Sequence, residues 1–190
     1  LTIHDHIIQV DGPTGDMLFP ELSTKGLKGR LAARKGSLEH RVDAVARLAN
    51  ANPRGHRSCQ WLIWCGLNDE ASAIIEAVPD AVNVEGSDSY AVKVSAVQRF
   101  LSGDIRTMIS KVRIMGFGMN FQNAHHMAFV GLGDSYEQYY QAVRRCWRFG
   151  QTKPVEAHVI ISEAEHVVVE NVRRMEAMAA NLADELIIHM

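Results

Sequence analysis

Between Gln138 and Val155 the chain carries four cationic side chains, Arg144, Arg145, Arg148 and Lys153, and no carboxylate to neutralise them. On an α-helix turning about 100° per residue, Gln141, Arg145 and Arg148 fall within about 60° of one another and share a face. Two guanidiniums on one face repel each other unless an anion sits between them. Such a pair suits the clamping of a polyphosphate, where it can neutralise charge that develops during phosphoryl transfer. A solvated basic face is the alternative use of the same residues. Tyr136, Tyr140, Val143 and Trp147 collect on the opposite side, which is the face expected to be buried.

The segments around this stretch alternate between strand and helix. Strands are expected at 61–65, 81–84, 107–109, 127–130 and 155–161, with helices at 68–77, 90–101 and 135–149. That order predicts an α/β fold, a parallel sheet flanked by helices on both faces. Residues 1–10 read as a further short strand, and the turn-rich run 11–16 follows it. From Ser23 to Gly36 the chain holds Lys25, Lys28, Arg30, Arg34 and Lys35 without an acid, either a solvated linker or a strip that tracks phosphate. A helix is expected from Ser37 through Val42, Val45 and Leu48, ended by Asn52-Pro53-Arg54-Gly55. A final helix over 163–188 places Val168, Val172, Met175, Ala179, Leu182 and Leu186 in a heptad seam, for packing on its own domain or on a missing neighbour, with dimerisation as the alternative.

Composition narrows the class. The 190 residues are 47% hydrophobic and 22% charged, near globular averages, and enough to bury a core without disulfides or metal. No apolar run approaches the roughly 20 residues that span a bilayer. Twenty Lys and Arg against 22 Asp and Glu leave a formal charge of −2, so a basic site must be local. Cys59, Cys65 and Cys146 form no CxxC and leave an odd count, which suits a reducing compartment. With no secretory signal at the start, the expectation is a cytoplasmic protein, and an opening at Leu1 suggests a segment of a longer polypeptide.

The run Gln141 to Gln151, Gln-x-x-x-Arg-x-x-Arg-x-Gly-Gln, resembles motif VI of superfamily 2 helicases, especially Swi/Snf-like DNA translocases of the phage or prophage type. Upstream segments resemble further motifs in the right order. Leu62-Ile63-Trp64-Cys65 is similar to the motif IV strand, Val84-Glu85-Gly86-Ser87 to the Asp-Gly-Ser segment, and Ile109-Ser110-Lys111 with Gly116 to Phe121 to motif V. The resemblance implies a RecA-like helicase C-terminal lobe over residues 59–162, with 1–58 as inter-lobe connection and N-terminal extension and 163–190 as a C-terminal helix.

It also implies roles. Arg145 and Arg148 would be arginine fingers towards ATP. Gln141, Gly116, Gly118 and Asn120 would line the nucleotide, because glycines let backbone amides approach phosphate closely. Ser87, Ser110, Lys111 and Arg144 would contact the nucleic-acid backbone, with an ordinary helix cap as the alternative for Ser87. Arg144 departs from the usual Gly or Asp, and 112–115 replaces the family's small-residue Thr-Lys-Ala-Gly. The implied partners are an N-terminal RecA-like lobe of the same polypeptide and DNA, and no membrane. ATP and Mg2+ are the implied cofactors, the metal held mainly by the missing first lobe.

No phosphate-loop motif and no Asp-Glu metal box at a strand end occur in the chain. Asp69-Glu70 opens a helix and reads as capping. The fragment is therefore expected not to hydrolyse ATP alone. A rival reading is a non-catalytic nucleic-acid-binding or interaction module with the same fold, and an unrelated nucleotide-binding α/β enzyme is a third. Phe121 stands where a dinucleotide fingerprint needs its third glycine, which argues against a Rossmann cofactor. His4-Asp5-His6 puts two imidazoles on one strand face without a third ligand at usual spacing, so no metal is expected. His125-His126 reads as packing or solvent exposure, Cys146 as a residue with no redox role, and Ser135 and Ser162 as part of no recognisable nucleophile arrangement.

Overall fold

Trp61-Leu62-Ile63-Trp64-Cys65 is buried at all five positions, which only a central strand covered on both faces allows. In the computed structural model, which describes residues 1–9, 27–51, 59–115, 119–133 and 135–188, this run is β2, in the middle of a six-stranded parallel sheet. The other strands are β1 (Thr2–Ile8), β3 (Ala81–Val84), β4 (Thr107–Lys111), β5 (His126–Val130) and β6 (Glu156–Ser162). Their order across the sheet is β1-β6-β5-β2-β4-β3. The helices are α1 (Leu27–Gly36), α2 (Leu38–Ala51), α3 (Asn68–Ala77), α4 (Tyr90–Ser102), the one-turn α5 (Val112–Met115), α6 (Tyr136–Val143) and α7 (His166–Ile188). Successive strand residues point to opposite faces. Ile63 accordingly joins Val42, Val45 and Ile74 beneath α2 and α3, while Leu62 and Trp64 join Phe100, Phe121, Phe129 and Val168 beneath α4, α6 and α7.

Three expectations change. First, β1 pairs in parallel with β6 along its whole length and α2 packs into the core, so the described residues before 58 share one sheet and core with those after it. Second, the basic run 23–36 is helical over Leu27–Gly36, and Arg34 within it is no solvated cation. Its Nε and Nη2 donate to Glu70 at 2.6 and 2.8 Å, and Nη2 also reaches the Val130 carbonyl at 3.1 Å. Third, the helix expected over 135–149 stops at Val143. Arg145 and Cys146 donate their backbone N–H to the carbonyls of Ala142 and Val143, each 3.2 Å away. These are i−3 partners, so the chain tightens out of α-helical geometry, and Gly150 at φ 91° turns it away.

Glu70 is more than the cap expected of it. Its Oε2 accepts from the backbone N–H of Gly66 and Leu67, both at 2.9 Å, closing the first turn of α3. Its Oε1 also takes Nη1 of the fully buried Arg41 at 2.8 Å. One carboxylate thus ties α1, α2 and α3 together. Gly66 leaves room for the Arg34 fork, since a Cβ there would sit 2.6 Å from Nη2.

Along the expected heptad seam, Val168 and Val172 are buried against the sheet while Met175 is 47% exposed. The first turns of α7 thus pack within the domain, and Arg173 pins the helix to Asp5 of β1 at 2.8 Å; the side chains of Leu182 and Leu186 lie outside the described ones. Among the described residues, no helix is long and apolar enough to cross a membrane.

Candidate functional site

The face that α6 buries is set by Tyr139, Ala142, Val143 and, beyond the helix end, Cys146. The expected face is only partly met: Val143 is buried and Tyr136 packs against the core, but Tyr140 and Trp147 remain 39% and 40% exposed. The Arg144 guanidinium lies over both rings, 5.8 and 5.4 Å from their centroids, a cation–π arrangement that holds it on the outer surface. Arg145 turns inward instead and is 8% exposed, so the two guanidiniums do not project outward side by side. Its Nη1 donates to the Met119 carbonyl at 3.2 Å, and its own carbonyl accepts from Phe121 N–H at 2.9 Å.

Asn120 sits between those two contacts, exposed, its Oδ1 accepting from Gln122 N–H at 3.2 Å. The Nε of Arg145 is buried with no hydrogen-bond partner among the described residues. Burial, and then the nearby charge of Arg148, lowers Arg145 from its ordinary value. Arg148 is exposed, and among the described residues no carboxylate pairs with either arginine. A buried N–H without an acceptor is costly, and any acceptor that reached Arg145 Nε would relieve that cost. Gln141, one turn earlier on α6, is exposed. Gly116 and Gly118 lie outside the described residues.

Gln151 fastens this corner. Its Nε2 faces the carbonyls of Gln122 and Ala124 at 3.1 Å and Cys146 at 3.2 Å, and its Oε1 accepts from Lys153 N–H at 3.0 Å. The segment entering β5 is thereby joined to the one entering β6. Gln151→Ala leaves these carbonyls short of a donor and is expected to cost about 1–3 kcal/mol. The check is a lower urea midpoint at unchanged m value.

A second corner forms at the other end of the strands. The carboxyl ends of β2, β4 and β5 border a cavity of about 280 Å3 lined by Arg34, Gly66, Lys111, Arg113, Gly131 and Ser135. Lys111 and Arg113 also line a neighbouring cavity with Asn68, Glu85 and Ser87. Lys111 Nζ donates to Asn68 Oδ1 at 2.6 Å. With five-residue strands rising about 3.3 Å per residue, the two corners stand roughly 15 Å apart along the sheet. Arg144 follows α6 and so belongs to the opposite end from Ser87 and Lys111.

Ser110 is fully buried and its hydroxyl donates to the Val84 carbonyl at 2.9 Å. It binds β4 to β3 and is not presented to a ligand, a correction that follows from its place on a covered face of the sheet. Ser87 is exposed, but its hydroxyl donates to Glu85 Oε2 at 3.3 Å in a turn that also holds Asp88. Neighbouring carboxylates disfavour a phosphate there. The cap of α4 is Ser89, whose Oγ accepts from Val92 N–H at 3.4 Å.

A family model described as the helicase conserved C-terminal domain matches residues 41–150. The chain belongs to that family. No curated protein matches it. Among solved structures it is similar to the C-terminal part of the Fun30 ATPase domain, with a TM-score of 0.61 and 19% identity over 70% of this chain and 44% of that one. The E. coli DEAD-box protein SrmB, solved bound to the regulator of ribonuclease activity A, gives 0.61 and 16% over 73% of this chain and 79% of the other. A DEAD box protein from the hyperthermophile Methanococcus jannaschii gives 0.57 and 20% over 72% and 37%. The chain spans less than half the length of the first and third of these. The shared architecture is the RecA-like fold of helicase C-terminal domains.

In this helicase domain three features escaped the sequence reading. Arg113 joins Lys111 at the carboxyl edge, and its signal was the departure of 112–115 from the family's small residues. Phe149, between Arg148 and Gly150, is 100% exposed and presents an aromatic ring beside the arginine corner. The third feature is the company of His4, because β6 lies alongside β1 and sets His158 directly opposite it. Elsewhere burial pushes the thiols of Cys65 and Cys146 up to about 12, which leaves no thiolate at neutral pH.

Proposed function

We propose that this domain is the second motor lobe of an ATP-dependent superfamily 2 helicase or translocase of the Swi/Snf-like, phage or prophage type. An N-terminal RecA-like lobe of the same polypeptide would bind ATP and hold most of the Mg2+ coordination. Arg148 and Arg145, with Asn120 and Gln141 beside them, would meet the triphosphate from this side. ATP supplies the phosphoryl group whose transfer drives the motor. The domain supplies fixed positive charge to that transfer and exposes Phe149 towards the facing lobe. The observation that carries the reading is the buried Nε of Arg145 beside Arg148, neither with an acceptor or acid among the described residues.

At the carboxyl edge Lys111 and Arg113 would hold the backbone of DNA. Two corners at opposite strand ends let lobe closure on nucleotide alter the grip on the strand. Contacts of this kind are sequence-independent and weaken with salt. In the intact polypeptide, Lys111→Ala and Arg113→Ala are each expected to weaken DNA binding uniformly across sequences. Each should also lower the slope of log affinity against log salt by about one. Fluorescence anisotropy over a salt series checks this, and a flat salt response in the wild type contradicts the DNA assignment. The same titration with RNA decides which nucleic acid the edge prefers.

A further inference from the structure

We propose that His4, Glu156 and His158 form a binding site for a divalent transition-metal ion of the zinc class. The three side chains come from adjacent strands, His4 facing His158 in register and Glu156 two residues earlier on β6. Alternation puts them on one face of the sheet. One donor atom from each lies within 4.8 Å of the other two. Donors around a tetrahedral zinc stand about 3.4 Å apart, and closing to that spacing would draw on the Glu156 carboxylate, whose Oε2 lies 3.3 Å from His126 Nδ1.

The unloaded arrangement leaves polar atoms stranded. His4 and His158 stack with ring centroids 4.7 Å apart, and the Nε2 atoms of both are buried with no hydrogen-bond partner among the described residues. A metal ion answers both lone pairs at once. The remaining ring nitrogen of His158, Nδ1, is 3.0 Å from Nε2 of His6. That is the outer-shell hydrogen bond that fixes the tautomer of a metal-bound imidazole. Two imidazoles and one carboxylate select zinc-like ions over Mg2+ or Ca2+, which require mostly oxygen. Three protein ligands leave a fourth position for water, and the bound ion would clip the edge strand β1 to β6.

The test uses the whole chain, freed of metal with a chelator and titrated with Zn2+ by calorimetry and with Co2+ by visible absorption. One equivalent should bind, with the intense absorption of four-coordinate Co2+, and Zn2+ should raise the Tm by several degrees. His4→Ala and Glu156→Gln should each abolish stoichiometric binding. His6→Ala should weaken it by about 10- to 100-fold. His166→Ala, on α7 beside Glu170, should bind as the wild type does. His4 is only half-buried at the sheet edge, so its variant reports on metal even if His158→Gln fails to fold. Absence of one tight equivalent in the wild type, or equal binding by His4→Ala and Glu156→Gln, overturns the proposal.

Discussion

Glu70→Ala should destabilise the domain by about 3–5 kcal/mol, the range for breaking a buried ion pair from one side. The Arg34 fork, Arg41 Nη1 and two backbone N–H groups all converge on this carboxylate. Arg41 is fully buried. Without Glu70 its remaining contacts are neutral oxygens, Ser37 Oγ at 3.0 Å and the Arg34 carbonyl at 2.5 Å. Arg41 would then have no acid partner, and Arg34 would keep only Glu165, 3.8 Å from its Nε. Since whole domains are stable by only about 5–15 kcal/mol, thermal unfolding should show a Tm many degrees lower. Removing Arg34 along with Arg41 and Glu70 would strand a second acid, since the buried Glu165 lies 3.8 Å from Arg34 Nε.

Acid should reproduce part of the effect. Burial alone pushes the Glu70 carboxyl up, but the Arg34 hydrogen bonds and the charges of Arg34 and Arg41 outweigh it, and the net shift is downward. A folded value below the unfolded one means the unfolded chain binds the proton more readily. The stabilisation is therefore fully present above the ordinary carboxylate range and is lost as pH falls through the lowered folded value. The gap between wild type and Glu70→Ala should narrow in that window and be constant above it.

The larger effect on activity is expected from Arg148. In the intact two-lobe polypeptide, Arg148→Ala should lower ATP turnover about 1,000-fold or more, the usual contribution of an arginine that neutralises charge in phosphoryl transfer. That is about 4 kcal/mol of barrier. Arg148→Lys should recover little, because an ammonium is a point charge without the planar fork that matches phosphate oxygens. Arg145→Ala should be equally inactive but less diagnostic. Its Nη1 also holds the Met119 carbonyl, so its loss loosens the turn that carries Asn120. Arg148 makes no such contact among the described residues, and its variant should keep the wild-type unfolding curve.

Much of the sheet was legible because fully apolar runs such as Trp61 to Cys65 have no stable place except a doubly covered strand. The arginine corner was legible as composition, four cations without an acid. Its geometry was not. A uniform 100° rotation carried through residue 149 put Arg145 and Arg148 on one outward face, whereas the i−3 bonds of Arg145 and Cys146 end the helix earlier and turn Arg145 inward. Ser110 looked available from the motif order, but it lies on a covered face of the sheet and its hydroxyl is spent on the Val84 carbonyl of β3. Partners far apart in sequence were invisible altogether: Arg34 and Glu70, and His4 with Glu156 and His158, meet only through sheet order and helix packing.

ATP turnover by the intact polypeptide at saturating DNA, measured for wild type and Arg148→Ala with nucleotide affinity followed in parallel, bears most directly on the motor-lobe reading. The variant should bind ATP within a few-fold of wild type and turn it over about 1,000 times more slowly. Wild-type turnover by Arg148→Ala would remove this arginine corner from the reaction. No turnover by the wild-type polypeptide itself would make the domain a nucleic-acid-binding module without a motor.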